Sequence, residues 1–229
     1  MIAVIGDIHG CYYSLMELIE KIKAKYPDIK IYSVGDLIDR GNFSYEVIEF
    51  IKSSDIVFTP GNHDYMFYYF VNFPESDMGS SWLYNGYENT VASYQNHFDM
   101  IASHLEFILK APLYLNLIDC FISHAGISSH YKSVFPAKFK DDLSLIEDYL
   151  TKDIIERHGI LWTRSDLLNI GKLQVVGHTR HEEVFYNKRS DALYIDTSVY
   201  TGNKLSAVIV DDNKLVDIFS VSTSNKDIN

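Results

Sequence analysis

The chain has 229 residues, 47% hydrophobic and 22% charged, which is the balance of a soluble globular protein long enough to bury a substantial core. Seventeen Tyr and 13 Phe exclude a disordered chain, and 12 Gly with 5 Pro exclude a collagenous or low-complexity one. Lys and Arg number 20 against 31 Asp and Glu, and the formal net charge of −11 opposes non-specific binding of nucleic acid.

Ile2 to Ile5 is a short β-branched apolar run, a buried strand, with no basic leader or cleavage site before it. No apolar run approaches the roughly 20 residues of a membrane-spanning helix. Two cysteines, Cys11 and Cys120, do not make a disulfide framework. The expectation is therefore a cytoplasmic protein with free thiols and no membrane partner. Leu15, Leu18, Ile19 and Ile22 recur at helical spacing, and Pro27 limits that helix. Residues 29–36 read as a second strand. Val47, Ile48 and Ile51 mark a second helix, with Ser44 as its N-cap. Residues 56–58 read as a third strand and the aromatic-rich stretch from Gly61 as a helix.

Residues 74–90 are polar and turn-rich and read as a loop or short helical insertion. Residues 91–109 read as helix, 114–123 as strand, and 141–159 as a helix closed by Gly159 at C′. The last third is β-rich. Its runs lie at LQVVGHT, EVFYN, ALYIDTS, LSAVIVDD and KLVDIFSV, and Asp212-Asn213 marks a hairpin between the last two. The final STSNKDIN is expected to fray. No repeat and no linker interrupts the chain, so residues 1–229 read as one domain with a small insertion at about 74–110.

Five motifs follow the expected strands: GDIHG (6–10), GDLIDRG (35–41), GNHD (61–64), SHAG (123–126) and VGHT (176–179). Loops that follow parallel strands share one sheet edge, so these would converge. They carry Asp7, His9, Asp36, Asn62, His124 and His178. Mixed imidazole and oxygen donors suit manganese, iron or zinc better than calcium. The set suits two divalent ions if one Asp bridges them, and such a pair can activate water for an in-line displacement. Glycines 6, 10, 35, 41, 61 and 177 flank the donors where the chain must turn with no side chain in the way. Arg40 and Arg164 offer paired donors matched to phosphate oxygens. His63, one residue after Asn62, is free to act as general acid, and Asp39 could hold its ring.

Together these motifs resemble the phosphoprotein phosphatase branch of the calcineurin-like metallophosphoesterases, and most of all its small bacterial and phage serine/threonine phosphatases, such as that of bacteriophage lambda. The resemblance spans residues 6 to 179 and extends to Trp162-Thr163-Arg164. It implies an α/β fold, an αββα sandwich of two mixed sheets flanked by helices. It implies one metal on Asp7, His9 and Asp36 and a second on Asp36, Asn62, His124 and His178, with manganese the first candidate. It further implies a metal-bridging hydroxide as nucleophile, His63 as acid, Asp39 as its partner, and Arg40 and Arg164 as phosphate clamps. The implied substrate is phosphoserine or phosphothreonine in a protein, with phosphotyrosine or another small phosphoester beside it.

Departures from the family bear on substrate. The phosphodiesterase and nuclease branches read GHxH, and this chain reads Gly177-His178-Thr179-Arg180. Related bacterial enzymes often read NGG and IDTG, where this chain has Asn85-Gly86-Tyr87 and Ile195-Asp196-Thr197-Ser198. The rival readings are a diadenosine tetraphosphatase, a small-phosphoester phosphatase or phosphodiesterase, and a binding protein with an inert metal site. Asp39-Arg40-Gly41 tells against the first, because such enzymes often carry Ala-Arg-Gly there. No donor is missing, which tells against the last. His97, His104, His130, His158 and His181 read as surface or core-edge residues, and Cys11 as a packed small side chain. Tyr84 and Tyr87 are candidates to touch substrate. Nothing in the sequence specifies an oligomeric state.

Overall fold

The computed structural model describes residues 1–228. Its strands form two five-stranded mixed sheets. In the first sheet β1 (Ile2–Ile5), β2 (Lys30–Ser33) and β3 (Val57–Phe58) run parallel. In the second, β4 (Tyr114–Asn116) pairs antiparallel with β5 (Phe121–Ser123), and β6 (Gln174–Val176) lies parallel beside β5. β7 (Phe185–Asn187) is the other antiparallel edge, held by β8 (Ala192–Tyr194), which runs parallel to β6. The chain then returns to the first sheet as the hairpin β9 (Lys204–Asp211) and β10 (Lys214–Ser222). Strand orders are β10-β9-β1-β2-β3 and β4-β5-β6-β8-β7.

Alternation along β1 and β9 divides the core. Ile2, Val4, Val208 and Val210 face the second sheet and pack with Ile122, Val175 and Leu193. Ala3, Ile5, Ala207 and Ile209 face outward and pack under helices. Those helices are α1 (Tyr12–Lys25), α2 (Ser44–Ser53) and α3 (Asn62–Asn72). The stretch after α3 folds as α4 (Asp77–Trp82), α5 (Glu88–Ser93) and α6 (Ile101–Lys110), and Trp82, Tyr94 and Leu105 join the same core. The outer face of the second sheet is covered by a mostly irregular segment. It holds α7 (Glu147–Lys152) and packs Tyr131, Leu150 and Ile160 on Phe121. The result is the αββα sandwich that the family resemblance implies.

Several local expectations fail. Residues 114–123 are two strands rather than one, because the chain reverses through a Leu117 N–H to Cys120 carbonyl bond of 3.0 Å. The helix expected over 141–159 ends at Lys152. Asp153 takes bonds from Tyr131 and His158, and the chain folds back so closely that Gly159 abuts the Asp153 carbonyl. The stretch 91–109 is broken around His97, whose ring stacks 3.9 Å from that of Tyr45. Ser44 caps nothing; it is buried and accepts the Asp39 N–H at 3.2 Å. The tail does not fray through residue 228, while Asn229 lies outside the described residues. Asn225–Ile228 forms the short α8, and its buried Asp227 accepts the N–H groups of Tyr13 and Ser14 at 3.0 and 2.9 Å. That carboxylate caps α1 in place of a local residue.

Candidate active site

The parallel strands of both sheets deliver their following loops to one edge, and all five motifs meet there. A sixth loop, Ile195-Asp196 after β8, joins them. The loops are tightly coiled. His9, Asp36, Asp39, Arg40 and His178 all have φ between 47° and 73°, the left-handed region that costs non-glycine residues energy. The cost is met by bonds between loops. Asp64 accepts Gly61 N–H at 2.8 Å and Leu37 N–H at 3.0 Å, pinning the second motif to the third.

Two glycines serve close approach rather than turning. A Cβ on Gly177 would stand 1.8 Å from Asp7 Oδ1, and one on Gly61 would stand 2.0 Å from Asp36 Oδ1. Asp7 also accepts the His178 N–H at 3.1 and 3.2 Å, so the first and last motifs are bound together.

The three donor imidazoles are each tied to a backbone carbonyl. His9 Nδ1 lies 2.9 Å from the Ile38 oxygen, His124 Nδ1 2.9 Å from that of Val34, and His178 Nε2 3.2 Å from that of Trp162. Each carbonyl fixes the ring proton on that nitrogen and leaves the other nitrogen as a lone pair facing the site. His124 Nε2 and His178 Nδ1 are then 3.2 Å apart, and Asn62 Oδ1 lies 3.0 and 2.8 Å from them. Burial holds all three rings on the neutral side of their usual range. Turned with its carbonyl oxygen inward, Asn62 completes a set of converging acceptors, and a cation satisfies that arrangement.

Asp36 is common to two tight groups of donors, His9-Asp36-His63 and Asp7-Asp36-His124. Its Oδ2 lies 3.5 Å from His9 Nε2 and 3.6 Å from His124 Nε2, and its Oδ1 accepts the His63 N–H at 2.9 Å. Burial pushes the Asp36 carboxyl up, and positive charge at the surrounding rings, His124 foremost, draws it below the ordinary range; with the rings neutral, a bound cation would supply that charge. Asp7 shifts the other way, raised by burial and by the charges of Asp196 and Asp36. Divalent cations among these carboxylates and imidazoles would offset that crowding, so the residues present fit two ions sharing Asp36.

His63 Nδ1 meets Asp39 Oδ2 at 2.7 Å, and both residues are buried. A cleft of about 130 Å³ opens over the donors and is lined by Arg40, His63, Arg164, Arg180, Asp196 and Tyr200, among others. Arg40 donates to His9 Nε2 at 2.8 Å and lies 4.2 Å from the centre of the Tyr200 ring. Arg164 is exposed and donates to the His178 carbonyl at 2.9 Å. The six candidate metal donors, the His63–Asp39 pair and the two candidate phosphate-binding arginines thus lie together. The model of the calcineurin-like phosphoesterase family matches residues 1–214.

The chain belongs to the calcineurin-like phosphoesterases.

Relatives of this phosphoesterase carry two kinds of name. A bis(5'-nucleosyl)-tetraphosphatase PrpE (asymmetrical) of Halalkalibacterium halodurans is 36% identical over 54% of this chain, and the match spans 56% of that relative, just over half its length. The PrpE of Oceanobacillus iheyensis is 28% identical over 96% of this chain and 92% of its own. Serine/threonine-protein phosphatase 1 of Salmonella typhimurium is 26% identical over 89% of this chain and 88% of its own. In fold, the chain resembles the cold-active protein-tyrosine phosphatase of a Shewanella species, with a TM-score of 0.59 and 19% identity over 97% of this chain and 80% of that one.

Several cleft residues of this phosphoesterase escaped the sequence reading. Asp196 is buried, accepts the Ser198 N–H at 2.9 Å, and has its carboxyl pushed up to about 6 by burial and by Asp36. Its position after a strand was the available signal. Arg180 stands where other branches place a second His, and it donates to the Tyr200 hydroxyl at 2.8 Å. Trp82 of α4 and Thr90 of α5 bond to Asp39 from positions no motif marks. Tyr87 packs on Trp82, with ring centres 5.4 Å apart, and does not line the cleft; Tyr84 is 86% exposed and does not line it either. His104 is in the core, bonded to Tyr94 and Glu49 at 2.6 Å each. Cys11 is buried with its Sγ 3.4 Å from the His9 carbonyl, and burial pushes its thiol up, which opposes a redox role. Among the described residues, no helix is long and apolar enough to cross a membrane.

Proposed function

We propose that this phosphoesterase hydrolyses phosphomonoesters of alcohols, phosphoserine and phosphothreonine of proteins foremost. The observation that carries the reading is the buried His63–Asp39 pair at 2.7 Å beside the donor cluster. An alkoxide is a poor leaving group and needs a proton as it departs, which a positioned imidazole supplies. A nucleotide leaving from a polyphosphate has far less need of one.

Asp7, His9, Asp36, Asn62, His124 and His178 would hold two divalent ions, manganese foremost. When bound, such ions supply an activated water and screen the phosphate charge. The other residues do the remaining work. Arg164 and Arg40 would bind the non-bridging phosphate oxygens, with Arg40 released from His9 Nε2 where that nitrogen would serve a cation. His63 gives a proton to the leaving oxygen, and Asp39 holds the opposite ring nitrogen.

A second reading is cleavage of a dinucleoside tetraphosphate. A third guanidinium, Arg180, lines the cleft and exceeds what one phosphate requires, and two relatives bear that activity in their names. The test is turnover by manganese-loaded protein of a phosphoserine peptide and of diadenosine tetraphosphate at equal concentration. Faster release of phosphate from the peptide is expected. Cleavage of the dinucleotide with the peptide untouched would overturn the first reading in favour of the second.

A further inference from the structure

The Asp39 carboxylate is held by more than His63. Trp82 Nε1 donates to Oδ1 at 3.0 Å and to Oδ2 at 2.9 Å, and Thr90 Oγ1 donates to Oδ1 at 2.7 Å. The Asp39 N–H donates back to Thr90 Oγ1 at 3.0 Å and to Ser44 Oγ at 3.2 Å. Asp39 is 0% exposed and Trp82 and Thr90 are 1% exposed, so no water competes for these bonds. Residue 39 also has φ of 71°, and the Trp82 ring is wedged 5.0 Å from Phe67 and 4.8 Å from Phe70. The carboxylate is therefore fixed in plane and in rotation by neutral donors, with one oxygen face left for His63 Nδ1.

We infer that Trp82 and Thr90 are positioning residues of the reaction: by clamping Asp39 they fix the His63 ring so that its free nitrogen, Nε2, meets the leaving oxygen. The inference rests on the proposed phosphomonoesterase reading. In the step concerned, the bond from phosphorus to the leaving oxygen breaks and its electron pair stays on that oxygen. The proton on His63 Nε2 passes to it. The attacking water forms the new P–O bond and releases the proton that restores the ring. Neither Trp82 nor Thr90 touches the reacting atoms. With Trp82 unable to donate, Asp39 and the ring bonded to it gain rotational freedom, and the proton is less often in reach.

The test compares Trp82→Phe, which keeps an aromatic ring and removes the N–H, with Thr90→Val, which keeps shape and removes the hydroxyl. His63→Asn is the reference. Manganese-loaded proteins are assayed on phenyl phosphate, which needs an acid, and on 2,4-dinitrophenyl phosphate, which does not. Each clamp variant is expected to lose at least about tenfold in kcat on phenyl phosphate and under about threefold on the dinitrophenyl ester, with KM little changed. Adding His63→Asn to either clamp variant is expected to give no more loss on phenyl phosphate than His63→Asn alone. In metal-free protein, the His63 Nδ1–H resonance should shift or broaden in the clamp variants. Equal losses on both esters, with His63→Asn still selective, would overturn this inference and leave the phosphatase reading standing. A His63→Asn variant with no selectivity would overturn both. If Trp82→Phe does not fold, Thr90→Val decides alone by the same criteria.

Discussion

Gly177 and Asp7, 170 positions apart in sequence, are in contact so close that no side chain fits between them: an added Cβ would stand 1.8 Å from the Asp7 carboxylate. Gly177→Ala should therefore displace Asp7 or His178. The expected cost is about 1–3 kcal/mol of stability, as for overpacking elsewhere, together with a steep loss of metal affinity. Urea denaturation and metal titration of the purified variant check both. A variant as stable and as metal-tight as the parent would refute the contact.

Metal binding should also appear as stability. Ions that bind only the folded chain stabilise it by about 2.7 kcal/mol at a free concentration a hundred times the dissociation constant. Manganese should raise the melting temperature of chelator-treated protein. Asp36→Asn should abolish that rise, because Asp36 belongs to both donor groups. His63→Asn should keep most of it. Calorimetry of the three proteins, with and without manganese, is the measurement.

Ser198 has φ of 59° where related bacterial enzymes often carry glycine. The left-handed conformation costs a serine more than it costs glycine, so Ser198→Gly should raise stability by about 0.5 kcal/mol or more. Chemical denaturation resolves a change of that size. A loss of stability would mean that the serine hydroxyl contributes more than the strain removes.

Asp227 accepts bonds from Tyr13 N–H, Ser14 N–H and the Ser14 hydroxyl at 3.0, 2.9 and 2.7 Å. Asp227→Ala leaves the buried Ser14 N–H and hydroxyl without their acceptor and frees the Tyr13 N–H, and should cost about 2 kcal/mol or more. Hydrogen exchange should quicken first at Tyr13 and Ser14. Unchanged protection there would show that α1 is capped by other means.

The five loop motifs were legible because metal chemistry restricts them to a few residue types at fixed spacing. The strands of the sandwich were legible because β1 and β8 are apolar throughout and β6 and β9 carry the apolar runs Val175-Val176 and Ala207–Val210. What escaped depends on distant side chains. No local pattern says that Trp82 and Thr90 bond to Asp39, or that Asp227 caps a helix some 213 positions away. The overlong helix at 141–159 fails for the same reason: Tyr131 and His158 capture Asp153, and local periodicity does not report that capture. Asp196 was in plain sight, since Ile195-Asp196 follows a strand as the other motifs do. It was weighed only as part of a departure from a pattern.

The place of β1 bears on how the protein is made. Its neighbours are β2 on one side and β9 on the other, so the partner of Ile2–Ile5 on that second side is Ala207–Val210. During synthesis the first three strands and their helices can assemble early, yet one flank of β1 stays bare until residues past 204 leave the ribosome. A stalled or truncated product presents that apolar edge to any passing strand, which makes late translational arrest a route to aggregation.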